Sequence, residues 1–330
     1  MSQTQRGLLY GLLAAAIWGG MYVVSDQVLR VIPPFTLLTI RLLLGALTLA
    51  VILGIRYQAS GSSRQSSTGD KVQGTKSQDV KPNLENPIPT TQYSELSTKN
   101  SSLALVLVGL LGFGVSVGAQ FVGTDLSDAV NGALITSASP AFILIFAALI
   151  LRERLTARHI AAVVLATIGV IVIVDPAQAD FSSAAFAGNV TLVFAALTWG
   201  LFSVLSRRVG QARDTLVVTL WGFVGGLLLT IPAAFVELQS RTIGDIDGGV
   251  ILGIFYLGVV STAGAMWLWN RAFALVDAAT ASLTFFAQPL VGALLAAAIG
   301  QQITQALVIG GILIAVGVLL AMRRTDPTTT

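Results

Sequence analysis

The sequence predicts an all-α integral membrane protein of ten transmembrane helices, arranged as two inverted five-helix repeats. Three observations predict it. The 330 residues are 54% hydrophobic and only 11% charged, far outside the composition of a soluble globular domain. Stretches free of Asp, Glu, Lys and Arg recur along the chain, many reaching the roughly 20 residues that a bilayer-spanning helix needs. The same pattern is also written twice. Ala15-Ala16-Ile17-Trp18-Gly19 returns as Ala196-Leu197-Thr198-Trp199-Gly200, and Asp128-Ala129 with Pro140 twelve residues on returns as Asp277-Ala278 with Pro289 at the same distance.

Taken in order, the spans are expected near 7–28, 35–55, 102–123, 129–150 and 157–174, then 185–206, 215–236, 249–270, 278–299 and 303–322. The fifth is the shortest, since only Ile160–Val174 is free of both charge and His159. The last two share one uncharged run, Ala278–Met322, divided at Gly300-Gln301-Gln302. The repeats run over 7–174 and 185–322. Five spans is an odd number, so the second repeat enters the membrane from the opposite side. Repeats inverted about a shared midplane are a common basis for alternating access in secondary carriers.

Charge placement supports the count. With both termini cytoplasmic, 16 of the 19 Lys and Arg residues fall in cytoplasmic segments, leaving Arg30 and Arg241 outside and Arg41 inside a span. A missed helix would invert every later loop and destroy this positive-inside bias. The amino end carries no cleavable signal pattern, so the first apolar stretch is expected to remain as a membrane helix. Arg152-Glu153-Arg154-Leu155-Thr156 follows the fourth span on the inside. Its counterpart after the ninth, Gln301-Gln302-Ile303-Thr304, faces out and has lost the arginines.

Residues 57–100 interrupt the pattern. They are rich in Ser, Thr, Gln, Asn and Lys, hold every lysine of the protein and show no apolar period, so a disordered cytoplasmic loop is expected. Gly7/Gly11, Gly114/Gly118 and Gly222/Gly226 have the spacing that lets membrane helices approach closely. Cysteine is absent, which excludes disulfides and thiolate metal sites. The lone His159 reads as an interfacial residue. No P-loop, HExxH or Cys–His pair is present, so neither catalysis nor a cofactor or metal is expected. Nothing points to nucleic acid; the expected partners are the lipid bilayer and a small-molecule substrate.

Candidate site residues come from polar stripes on otherwise apolar helices. Trp18, Tyr22 and Ser25 lie at i, i+4 and i+7, one helical face, and Trp199, Ser203 and Ser206 match them in the second repeat. Hydroxyls and indoles facing lipid are costly, so these stripes line a cavity or pack between helices. Thr280, Thr284 and Gln288 form a second stripe ending at Pro289, matched by Asn131, Ile135 and Ser139 ending at Pro140. Each proline removes a backbone donor, making Pro140 and Pro289 candidate hinges. Gln120 and Trp267 complete the set from spans three and eight. Arg41 sits near the outer third of span two. An ion pair or gate with Asp26, contact with an anionic substrate group, and contact with lipid all stay open for it.

The Ala-Ile-Trp-Gly opening, Pro34…Arg41-Leu42-Leu43, Pro140…Glu153-Arg154-Leu155-Thr156, and the second-half Trp199-Gly200, Pro289 and Gly300-Gln301-Gln302-Ile303-Thr304 resemble the EamA type of the drug/metabolite transporter superfamily. The resemblance covers nearly everything outside 57–100. It implies a ten-helix secondary carrier of the inner membrane, commonly exporting amino acids or related small metabolites. Members also move nucleotide sugars, drugs and lipid-linked sugars. A carrier of lipid-linked or nucleotide sugars, and a non-transporting scaffold or sensor, are therefore the alternative expectations. Gln301 stands where the repeat usually has Glu, and no second arginine matches Arg41, which points to facilitated or weakly coupled exchange.

Overall fold

The computed structural model describes residues 1–68, 97–127, 135–174, 185–211, 213–298 and 305–322. Among them there is no β-strand. The helical rods are α1 (Gln3–Leu29), α2 (Pro34–Thr68), and α3, which joins Ser97–Gly109, a π-helical stretch Leu110–Ser116 and Val117–Leu126. Next come α4 (Ser139–Phe146 with π-helical Ala147–Leu151), α5 (Ala157–Val174), α6 (Phe186–Gly210) and α7 (Thr215–Glu237). In α8, Gly248–Phe255, π-helical Tyr256–Gly264 and Ala265–Leu275 run on; in α9, Ala278–Leu283, a 3₁₀ turn Thr284–Phe286 and Ala287–Ala298; α10 is Gln305–Met322.

Among the described residues, five stretches are long and apolar enough to cross a membrane: Pro34–Gln58, Ser102–Leu126, Phe186–Gly210, Thr215–Glu237 and Gly248–Leu275. The 25 residues of Pro34–Gln58 reach about 37 Å at 1.5 Å per residue, more than the ~30 Å hydrocarbon core. Shorter apolar helices lie at Ser139–Leu151, Ala157–Val172 and Val308–Gly317. Large apolar side chains turn outward on most rods: Leu149 and Leu252 are each 71% exposed and Phe235 70%. In water such a surface would be an aggregation hazard, whereas hydrocarbon solvates it.

Two boundaries differ from expectation. α2 continues to Thr68 and α3 begins at Ser97, so both ends of the 57–100 insertion are helical. Once a helix is nucleated, each further residue adds a hydrogen bond at little cost, and polar residues extend it past the membrane. The expected disorder of the remainder, the Asp128-Ala129 start and the Gly300-Gln301-Gln302 divide lie outside the described residues. The prolines stand at helix restarts: Pro140 in the first turn of α4, and Pro289 just after the 3₁₀ turn of α9.

Packing follows a rule of exchange between the halves. α1 packs on α8 and α9, while α6 packs on α3 and α4; α2 packs on α8 and α7 on α3; α2 meets α7, and α5 meets α10. Every one of these contacts maps onto another, or onto itself, when the halves are swapped. Two of the described π-helical stretches fall in α3 and α8, which are counterparts, and a third, Ala147–Leu151, lies in α4. The repeated Trp-Gly pair has a packing reason. A Cβ on Gly19 would stand 2.7 Å from the Gln288 carbonyl of α9, and one on Gly200 would stand 2.7 Å from Phe142 of α4. Each glycine lets its helix lie on the backbone or Cβ of its neighbour.

Candidate functional site

A cluster of buried and half-buried rings lies where α1, α6, α8 and α9 converge. Trp18 meets Trp269 at 5.4 Å, Trp199 at 6.1 Å and Phe285 at 6.1 Å between ring centroids. Phe113 extends the cluster to Phe202 and Phe223 at 5.2 and 5.0 Å. These tilted and edge-on pairs are the arrangements that ring quadrupoles favour. Above this floor sits a cavity of about 220 Å³, walled by Trp18, Arg41, Gln120, Ser139, Trp199 and Gln288, with Ser25, Ser116, Ser261, Thr262, Met266 and Phe285 among the other lining residues. It reaches toward the end of the protein where α1 stops, near Leu29 and Thr124.

The wall is polar in a particular way. The Trp18 indole N–H donates to the Ser261 carbonyl at 3.0 Å, and the Ser116 hydroxyl donates to the Ala195 carbonyl at 2.8 Å. Arg41 is buried, its Nε donating to Thr262 Oγ1 at 3.2 Å and a terminal nitrogen lying 3.0 Å from Met21 Sδ. Among the described residues, seven buried side-chain polar atoms have no hydrogen-bond partner, and four belong to this wall: Ser25 Oγ, Trp199 Nε1, Ser261 Oγ and Gln288 Oε1. Buried polar groups are normally paired, because an unpaired one costs about 1–3 kcal/mol. Their concentration around one cavity makes it the candidate site.

Of the residues singled out from sequence, Trp18, Arg41, Gln120, Ser139, Trp199 and Gln288 come together here. Three do not reach the wall. Ser203 is buried with its hydroxyl donating back to the Trp199 carbonyl, a local helix bond. Thr284 bonds the Ala281 carbonyl and faces Gly11 of α1. Trp267 packs on Tyr10 at 6.0 Å, and Trp269 takes the inward place instead. Pro140 and Pro289 stand beside the site and outside its lining. Asn131 lies outside the described residues, as do the side chains of Tyr22 and Asp26.

Sequence reasoning missed Ser116, Ser261, Thr262, Met266 and Phe285. A signal existed for two of them: Val115-Ser116 and Val260-Ser261 are the same dipeptide in counterpart helices.

The opposite end of the protein is cross-linked by polar bridges. Glu153 pairs with Arg207 of α6 and accepts hydrogen bonds from the Ala278 and Ala279 N–H groups at the start of α9, at 3.0 and 3.3 Å. Arg152, held at φ 56, turns the chain out of α4 so that Glu153 can reach. Asn270 of α8 accepts from Ser206 of α6 at 3.1 Å and donates to Thr219 of α7 at 3.0 Å. Ser206 and Asn270 border both a small void beside Phe113 and a further cavity at this end of the protein. A line of spaces therefore leads from the central cavity to this end, interrupted by Phe113 and the Asn270 bridge.

A family model described as the EamA-like transporter family matches residues 5–68, 84–175 and 186–323. The chain is 28% identical over 224 residues to the "Uncharacterized transporter YyaM" of Bacillus subtilis, covering 67% of this chain and 72% of that one. It is 27% identical over 302 residues to the "Uncharacterized inner membrane transporter YicL" of Salmonella typhimurium, covering 89% and 87%. A crystal structure 21% identical in sequence superposes with a TM-score of 0.72 over 96% of both chains, a likeness of fold. The chain belongs to the EamA-like transporter family and is a multi-pass membrane transporter, not an enzyme.

Proposed function

We propose that this protein is a secondary carrier of the inner membrane that exports small metabolites with an apolar body and polar ends, amino acids favoured, by alternating access. The observation that carries the reading is the central cavity: an aromatic floor beneath four unpartnered polar atoms, with Arg41 on the same wall. A ring or aliphatic body fits the floor. Trp199 Nε1 donates only, Gln288 Oε1 accepts, and the serine hydroxyls do either, so a ligand carrying both donors and acceptors satisfies the set.

The exchange of helix contacts between the halves supports ten spans in two inverted repeats, with the cavity at their shared midplane. The arginine bias supports cytoplasmic termini. In that orientation the cavity reaches outward beside Leu29 and Thr124, and the Glu153 and Asn270 bridges close the cytoplasmic side. Transport then requires those bridges to break while the outer ends of α1, α2 and α3 close over the cavity. The restarts at Pro140 and Pro289 are the places where α4 and α9 bend. Exchange is facilitated or weakly coupled to ions.

The test is counterflow into proteoliposomes across a panel of labelled amino acids. Saturable uptake that survives dissipation of a proton gradient supports the reading. Flat uptake across the panel with folded protein contradicts the substrate class, and collapse with the gradient contradicts the weak coupling.

A further inference from the structure

The cavity at the opposite end of the protein has a chemistry of its own. It measures about 300 Å³ and lies between the α6–α7 turn and the end of α8, lined by Arg207, Arg213 and Arg271 with Ser206, Thr215 and Asn270. None of its described lining residues is acidic. Arg207 is neutralised by Glu153. Arg213 is half-buried and Arg271 exposed, and neither side chain makes an ion pair or hydrogen bond among the described residues.

The nearby carboxylates are committed elsewhere. Asp214 caps the Leu216 N–H and pairs with Arg56, and Asp277 caps the Thr280 N–H. The positive-inside rule accounts for arginines at this end of the protein, but not for their convergence on a cavity. Arg152, Arg154, Arg158 and Arg208 share the same end and stay out of it. Guanidinium groups gathered around one solvated hollow repel each other, and an oxyanion relieves the repulsion while offering forked acceptors. Asn270 and Ser206 supply neutral polar contacts and also border the void that leads toward the central cavity.

We propose that this cavity is an oxyanion-binding site for a phosphate or carboxylate group, and that it serves as the cytoplasmic loading vestibule for the anionic end of the cargo. The loading role rests on the transport reading above; the binding chemistry does not. The same oxyanion chemistry has two sources, a soluble anion or the headgroup of an anionic lipid in the cytoplasmic leaflet.

The test uses the full chain in nanodiscs of phosphatidylcholine, following the thermal unfolding midpoint without any transport. One arm adds inorganic phosphate against chloride at matched ionic strength; the other replaces part of the lipid with phosphatidylglycerol. Phosphate is expected to raise the midpoint by about 2 °C or more at saturation, and Arg213→Gln/Arg271→Gln is expected to abolish the rise. If the double variant unfolds in chloride, the single Arg271→Gln at the exposed position carries the same comparison. A rise with phosphatidylglycerol alone, lost in the variant, supports the oxyanion site and overturns its loading role. No rise in either arm, or one that the variants retain, overturns the proposal. A phosphate shift beside absent counterflow would contradict the transport reading and leave the binding site standing.

Discussion

The Trp18 indole donates its N–H to the Ser261 carbonyl at 3.0 Å, tying α1 of the first half to α8 of the second. Its repeat counterpart Trp199 is half-buried with its N–H unpartnered on the cavity wall. Both indoles line the cavity, but one commits its N–H to a bond between the halves and the other presents it to the cavity.

Replacing each tryptophan by phenylalanine separates these roles. Trp18→Phe removes a buried hydrogen bond and is expected to cost about 1 kcal/mol of stability, seen as a lower unfolding midpoint in detergent. Trp199→Phe removes no intramolecular hydrogen bond and should leave the midpoint near wild type while weakening transport. Equal midpoints in the two variants would contradict the assignment.

Gln288 offers an unpaired acceptor to the cavity. Gln288→Ala is therefore expected to lower counterflow at least tenfold without loss of folded protein in the membrane, since its side chain makes no hydrogen bond among the described residues. Trp18→Ala is expected to lower counterflow as well, with some loss of stability. Wild-type flux in both variants would remove the cavity from the transport route.

Gly19→Ala places a methyl 2.7 Å from a backbone carbonyl, which no rotamer relieves. Forced separation of α1 and α9 is expected to cost about 1–3 kcal/mol and to reduce transport. Gly248, whose Cβ would meet nothing within 4 Å, provides the control; Gly248→Ala should fall close to wild type in thermal melts.

Asn270 bridges Ser206 and Thr219, joining α6, α8 and α7. Asn270→Ala is expected to destabilise by about 1–3 kcal/mol, leaving the Ser206 hydroxyl without its acceptor. It should also raise reagent access to a cysteine placed at Val218, which borders both smaller cavities. The protein has no cysteine of its own, so such labels report one position. Unchanged access would count against Asn270 as part of the closure.

Much of this arrangement was legible in the sequence, and two of the failures share a cause. Hydropathy and the doubled Trp-Gly and Asp-Ala…Pro patterns are set locally, so they survive reading along one dimension. Helical phase does not survive irregular turns. The π-helical Tyr256–Gly264 shifts the register of everything after it, and Trp269 meets Trp18 while Trp267 packs on Tyr10. The 3₁₀ turn at Thr284–Phe286 rotates each residue by about 120° instead of about 100°, so Thr284 and Gln288 leave their common face: Thr284 meets Gly11 and Gln288 the cavity wall. Ser203 shows a different limit: a hydroxyl on a polar stripe can satisfy itself on its own helix. Glu153 stood in the sequence as part of a motif, but its reach to α9 and Arg207 depends on the left-handed turn at Arg152, which no periodicity signals.

Glu153 gives the most direct test of alternating access, because it joins α4, α6 and α9 at the closed end. Two single-cysteine proteins, Thr124→Cys at the cavity and Val218→Cys on the opposite route, are labelled with a membrane-impermeant reagent, with and without Glu153→Gln. Breaking the bridge is expected to lower labelling at position 124 and raise it at position 218. Labelling that rises at both positions, or changes at neither, would contradict a carrier that opens its two ends in turn.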